Sequence, residues 1–236
     1  MQRYNKELYD YLIGFISEQR KEKFENYILN RTRYVTVAVE DIYQTHNASA
    51  VLRSAECFGI QDVHIIENRN RYRPSAEVAK GAEKWLTLHY HNKHENNTQA
   101  CIQHLRNEGY RIVATTPHER DQMIYDLDVS KGKIALFFGT EIEGISDEVR
   151  READEFVKIP MYGFTESFNI SVSAAICLYE IKQKLTDELP WKLSDTEKED
   201  ILLTWVKQSV REPELLEKEF QKLLNTELEA GEAQNS

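Results

Sequence analysis

An α/β fold around a mainly parallel sheet is predicted by three features of this chain. Short apolar, strand-like runs alternate with helix-periodic segments from residue 35 to residue 185, the pattern left by repeated strand–helix–strand units. The runs at 63–66, 110–116 and 133–138 are apolar over most of their length, as buried strands are. Gly59 and Gly109 follow two of the helix-periodic segments, where a left-handed residue ends a helix.

Each element has its own local reason. Residues 5–30 carry Leu8, Leu12, Phe15, Ile16, Phe24 and Ile28 at helical spacing among many charges and predict one or two amphipathic helices. Residues 35–41 alternate and are β-branched, which predicts a strand. A helix follows over 47–58, with Asn47 suited to cap it. Strands are expected at 63–66 and 85–90, a helix at 98–108, and further strands at 110–116 and 133–138. Ser146 caps a short helix whose first turn holds Asp147 and Glu148, a placement that the helix dipole favours. A strand at 155–159 and a helix at 169–185 complete the pattern. In such a sheet, functional groups gather at the carboxyl ends of the strands.

After Leu185 the composition changes. Pro190-Trp191 opens a connector, and 193–224 predicts two charged helices broken near Pro213, with Ile201, Leu202, Trp205 and Val206 as a partial apolar stripe. Residues 228–236 are polar and are expected to be disordered. The expected organisation is a helical extension (1–32), an α/β domain (33–185), a second helical extension (186–227) and a tail (228–236).

Charge and cysteine content bound the partners. The 236 residues carry a net charge of −10, but residues 186–236 hold 13 Asp and Glu against 6 Lys and Arg, leaving only −3 for the first 185. Between Asn68 and Lys84 the balance reverses, with Arg69, Arg71, Arg73, Lys80 and Lys84 against Glu77 and Glu83. A local basic strip of this kind binds phosphates even on an acidic protein, although a solvated loop has the same composition. Cys57, Cys101 and Cys177 form no C-x-x-C pair, which suits thiols in a reducing cytoplasm. No apolar run reaches membrane-spanning length and no signal-peptide pattern is present, so a soluble protein without a membrane partner is expected.

Three segments could carry chemistry. His46-Asn47-Ala48-Ser49-Ala50-Val51-Leu52-Arg53 sets an Arg among apolar neighbours, where it meets a carboxylate or an anion. Phe137-Phe138-Gly139-Thr140-Glu141-Ile142-Glu143-Gly144 brackets an acidic turn with glycines that permit close backbone approach. In residues 159–171, Ser167, Asn169 and Ser171 stand at alternate positions ahead of a helix, more polar groups than one cap requires. G-x-G-x-x-G is absent, so this is no dinucleotide fingerprint.

Together the three segments resemble motifs 1, 2 and 3 of the SpoU (TrmH) family of RNA ribose 2′-O-methyltransferases. The matching text is N-x-S-A-x-x-R-x-A at 47–55, F-F-G-T-E-x-E-G at 137–144 and I-P-M-x-G-x-x-x-S-F-N-x-S at 159–171, and the resemblance covers about residues 33–185. It implies an α/β sheet of the SPOUT type with a C-terminal deep trefoil knot, flanked here by N- and C-terminal helices. It also implies S-adenosylmethionine as cofactor and a homodimer formed through the knot region.

Carried over by position, the resemblance implies a cofactor wall of Thr115, Phe138, Gly139, Ile159 and Phe168, where most relatives have Leu at the last position. It implies Arg53 as the essential arginine, with Asn47, Glu141, Ser167 and Asn169 positioning the ribose and the loop. Guanidinium holds its proton up to a pH of about 12, so the role expected for Arg53 is to bind the target phosphate and stabilise developing alkoxide charge rather than to act as base.

The helical extensions resemble the branch that methylates guanosine-18 in the tRNA D-loop, in the cytoplasm. The phosphate contacts expected are Arg31 and Arg33 together with Arg69, Arg71, Arg73, Lys80 and Lys84, with Tyr72 and Trp85 in or beside the strip as possible stacking partners for a base. Methylation of another tRNA or rRNA ribose, and a knotted RNA-binding protein without catalysis, remain alternatives. His89 and His91 would share one face of a strand, as two ligands of a metal hydrolase should, but only Glu95 stands nearby as a companion carboxylate. The expected site contains no metal.

Overall fold

Alternate residues of the central strands divide between two hydrophobic cores, one on each face of a seven-stranded parallel sheet. The computed structural model describes residues 2–73, 75–117, 122–140 and 143–234. Glu141, one of the expected catalytic residues, lies outside them.

The chain forms two compact units, one of residues 31–192 and the other of 1–30 with 193–236. In the smaller unit, helices α1 (Gln2–Leu12) and α2 (Glu18–Ile28) share a core with α8 (Asp195–Lys207) and α9 (Pro213–Gln234). Phe24 meets Trp205 with ring centroids 5.4 Å apart, and Tyr11 meets Phe220 at 5.3 Å. Neither end buries its apolar stripe alone, so the two extensions expected as separate segments pack as one. Ser194 starts α8 with a capping box, exchanging hydrogen bonds with Glu197. Helix α9 carries helical backbone through 228–234, where a disordered tail was expected from polarity; Leu228, Glu229 and Ala230 are good helix formers.

The larger unit carries the sheet. Its strands are β1 (Val35–Glu40), β2 (Asp62–Ile66), β3 (Thr87–His91), β4 (Arg111–Thr115), β5 (Gln122–Met123), β6 (Ile134–Phe138) and β7 (Glu155–Lys158). They lie in the order β3-β2-β1-β6-β4-β7-β5, with every pairing parallel. Val35, Val37, Val39, Leu136 and Phe138 enter one core with α3 (Thr45–Cys57) and α7 (Ile170–Lys184). Ala38, Ala135 and Phe137 enter the other with α5 (Asn97–Asn107) and α6 (Asp147–Glu152). The two-residue period of a strand produces this division. The expected elements all form, and short ones are added among the described residues, α4 (Ala76–Ala79) and the edge strand β5 as well as single 3-10 turns.

The sheet unit extends past residue 185 because Trp191 is buried against it, its carbonyl accepting the Thr32 hydroxyl at 2.5 Å. Gly59 and Gly109 take φ of 75° and 81°, the left-handed values expected of them.

Candidate active site

Strands β6, β4 and β7 end in a cleft of about 590 Å³. Parallel connections bring these carboxyl ends together, and the loops that leave them form the walls. Thr115, Phe138, Gly139, Ile159 and Phe168, the five residues expected at the cofactor, all line it, as do Asn47, Ser167 and Asn169.

A side-chain hydrogen bond joins the segments that resemble motifs 1 and 3. Asn169 is the N-cap of α7, its Oδ1 accepting from the Ser171 N–H at 2.9 Å and the Ser171 hydroxyl at 2.6 Å. Its Nδ2 donates to Asn47 Oδ1 at 3.0 Å. Asn47 itself is not the cap expected of it: α3 begins two residues earlier, at Thr45, with Gln44 as N-cap. Placed inside the first turn and buried, the Asn47 side chain donates its Nδ2 to Gln44 Oε1 at 3.3 Å and turns its Oδ1 to Asn169.

The glycine turn after β6 is a tight backbone crossing. Thr140 and Gly144 exchange backbone hydrogen bonds of 2.8 and 3.1 Å, and Gly144 has φ of 71°. A Cβ on Gly139 would lie 1.9 Å from the Gly144 carbonyl oxygen. Thr115 donates its hydroxyl to the Phe137 carbonyl at 2.9 Å, which ties the ends of β4 and β6 together.

Arg53 lies elsewhere. It is exposed, does not line the cleft, and forms no hydrogen bond or ion pair among the described residues. Six residues of helix carry it about 9 Å along the axis from Asn47 and about 120° around it.

The expected phosphate contacts separate into two groups. Arg31 is 3% exposed, pairs with Glu56 at 2.9 Å and donates to the Ile60 carbonyl at 3.0 Å, so it is a structural arginine and not a phosphate contact. Burial lowers its pKa, and Glu56 opposes the shift. Arg33 is half-buried and bound to Asp62 at 2.9 Å. Burial in the sheet unit supplies carboxylate partners that sequence position did not reveal.

Arg71, Arg73, Lys80 and Lys84 are exposed. Arg69 is exposed too, but bonds Glu143 at 2.6 Å and holds that carboxyl below its usual range. The strip is anchored by buried Asp41, whose Oδ1 accepts from the backbone N–H of Asn68 (2.8 Å), Arg69 (2.8 Å) and Asn70 (3.2 Å). Tyr72 is also held, donating its hydroxyl to Glu83 at 2.8 Å, and packs on the core rather than standing free to stack on a base. Trp85 is partly buried.

Arg150, Lys158 and Glu166 also line the cleft and were not singled out from sequence. Lys158 ends a strand, a signal that could have found it; Arg150 had no local signal.

The profile described as SpoU rRNA Methylase family matches residues 34–179. A tRNA (guanosine(18)-2′-O)-methyltransferase of Borreliella burgdorferi is 39% identical over 207 residues, covering 87% of this chain and 93% of that protein. The crystal structure of the Aquifex aeolicus TrmH/SpoU tRNA modifying enzyme superposes with a TM-score of 0.71 at 26% identity, covering 83% of this chain and 98% of that one. The fold is also that of the SpoU methyltransferase AviRb from Streptomyces viridochromogenes, solved with AdoMet, at a TM-score of 0.57 and 23% identity over 65% of this chain and 61% of that one.

Proposed function

The chain belongs to the SpoU rRNA Methylase family, and from that premise we propose that it methylates the ribose 2′-hydroxyl of guanosine-18 in tRNA, with S-adenosylmethionine as methyl donor. The observation that carries the substrate is the extent of the Borreliella burgdorferi match, 93% of that tRNA enzyme, which takes in helical extensions as well as the motif-bearing domain.

The cleft suits the cofactor. Phe138, Ile159 and Phe168 supply apolar walls for an adenine ring, while Arg150, Lys158 and Glu166 supply charges of both signs for an amino-acid end. When bound, S-adenosylmethionine supplies an electrophilic methyl group on a sulfonium.

The protein's own residues supply placement and charge. Asn169, tied to Asn47, fixes the start of α7 beside the cleft, and Ser167 stands on the loop that enters it. Arg53 holds the target phosphate and stabilises negative charge on the reacting oxygen. Since Arg53 does not line its own chain's cleft, a homodimer that presents Arg53 to the cleft of the second copy completes the site. Exposed Val172 and Tyr179 on α7 support such a face. Glu141 belongs to the same reading by its place in the motif.

A trefoil knot between β6 and α7 is part of this reading, supported by the insertion of β6 between β1 and the earlier strand β4. So is a cytoplasmic setting, supported by Cys57, Cys101 and Cys177, all free thiols. Among the described residues, no helix is long and apolar enough to cross a membrane.

The test is transfer of labelled methyl from S-adenosylmethionine to unmodified tRNA transcripts, with and without a 2′-deoxyribose at guanosine-18, by wild type and Arg53→Ala. Label that needs both Arg53 and that hydroxyl is the expected result. Label that survives the deoxy substitution would move the target to another ribose.

A further inference from the structure

Three side chains that no step of methyl transfer uses converge between the sheet edge and α5. His64 on β2 and His91 on β3 point to the sheet face that α5 covers, and Cys101 on α5 descends onto them. Their ligand atoms all lie within 4.8 Å of one another. His104, one turn beyond Cys101 on α5, brings its ring centroid to 5.6 Å from His64 and 5.9 Å from His91. We propose that His64, His91 and Cys101 bind one zinc ion as a structural clasp between α5 and the β2–β3 edge, with exposed His104, which stands outside that close group, turning its ring in as fourth ligand.

The donor set is the first argument. Two imidazoles, a thiol and a further imidazole match the nitrogen and sulfur ligands of tetrahedral zinc. Their arrangement is the second. His64 Nδ1 and His91 Nε2 face each other at 3.0 Å, so only one of the two can carry a proton there. Two nitrogens at 2.0–2.1 Å from tetrahedral zinc stand about 3.3 Å apart, so the ion needs only a small separation of the rings. Binding moves that proton to the other nitrogen of its own ring and releases the Cys101 thiol proton to solvent.

The surroundings agree. His64 is buried and His91 half-buried, each within ring-contact distance of further imidazoles. Cys101 is fully buried where α5 lies on the sheet, with its sulfur turned to the two histidines. His89 stacks on His64 at 4.6 Å and bonds Asp62 at 3.1 Å, which braces the cluster from the side. Exposed His104 marks the route of entry. The histidine pair suspected from sequence thus divides: His91 ligates with residues 27 and 10 positions away, while His89 supports and Glu95 takes no part.

The experiment titrates Co²⁺ into the metal-free full-length protein and records absorption, then displaces it with Zn²⁺. The expected result is one equivalent, a thiolate-to-cobalt charge-transfer band with tetrahedral visible bands, and their loss on adding zinc. Cys57→Ser, which removes the exposed thiol, should keep the bands. Cys101→Ser and His91→Gln should lose them with unchanged circular dichroism. Because both of those residues are at least partly buried, His104→Ala at an exposed position is the second arm, expected to weaken cobalt binding with the fold intact. A wild-type protein without the charge-transfer band, a band that disappears in Cys57→Ser, or unchanged affinity in His104→Ala would overturn the four-ligand assignment.

Discussion

Asn169 and Asn47, 122 residues apart, join the start of α7 to the first turn of α3 through a 3.0 Å amide–amide hydrogen bond. The same Asn169 caps α7, so one side chain serves both the helix end and the cleft wall. Asn169→Ala should lower stability by about 1–2 kcal/mol, the usual loss of a capping side chain. Asn169→Asp keeps the capping oxygen and should retain most of that stability. Both should reduce methyl transfer, because neither holds the Nδ2 donor. Urea unfolding and turnover measured on the pair check this, and full activity in Asn169→Asp would show that the tie to Asn47 has no part in placing the site.

Gly139→Ala should be poorly tolerated. The added methyl would sit 1.9 Å from the Gly144 carbonyl, a backbone atom that cannot rotate away. Relieving that overlap should cost about 1–3 kcal/mol, as overpacking does, and should distort the cleft. Calorimetry with S-adenosylmethionine and thermal unfolding should both register the change.

Arg31 and the exposed strip should behave oppositely when neutralised. Arg31→Gln removes a buried ion-pair partner of Glu56 and should destabilise the fold by about 2–3 kcal/mol, leaving the salt dependence of tRNA binding unchanged. Arg71→Gln, Arg73→Gln or Lys84→Gln should leave stability within about 0.5 kcal/mol. Each that contacts a phosphate should lower the salt slope of tRNA binding by roughly one. Binding isotherms at several salt concentrations separate the two classes.

Lys182 should give a basic-range signature. Its ammonium sits 4.0 Å from the Trp191 ring, and burial, with Arg31 nearby, lowers its pKa to about 8. In the unfolded chain the usual value of about 10.5 applies. Between those two values the unfolded state binds more protons, so this group's contribution to stability rises with pH across that window. Below the lower value both states are protonated and its penalty is constant. Urea midpoints of wild type minus Lys182→Met should therefore increase from pH 8 to pH 10, and a flat difference would remove Lys182 as the source.

Much of the fold and part of the site were legible without coordinates. The strand at 35–41, the helix closed by Gly59 and the cap at Ser146 all depend on residues a few positions apart, and each formed. Thr115, Phe138 and Ile159 were legible as cleft residues through the resemblance of the motifs, and Thr115 also because strand ends carry the ligand in a parallel sheet. Arg150 was not, because nothing in its neighbourhood distinguishes a cleft arginine from a surface one. Asn47 was misplaced as a cap because its residue type suits that role equally well.

The sequence by itself determined the elements, their alternation and the three motifs, since periodicity, capping and turn chemistry act between near neighbours in the chain. Only the tertiary structure decided which arginines are available to a phosphate, where Arg53 stands relative to the cleft, and that His64, His91 and Cys101 share one space. Those outcomes depend on strand order and register, which bring together residues tens of positions apart and bury some charges beside carboxylates while leaving others in water.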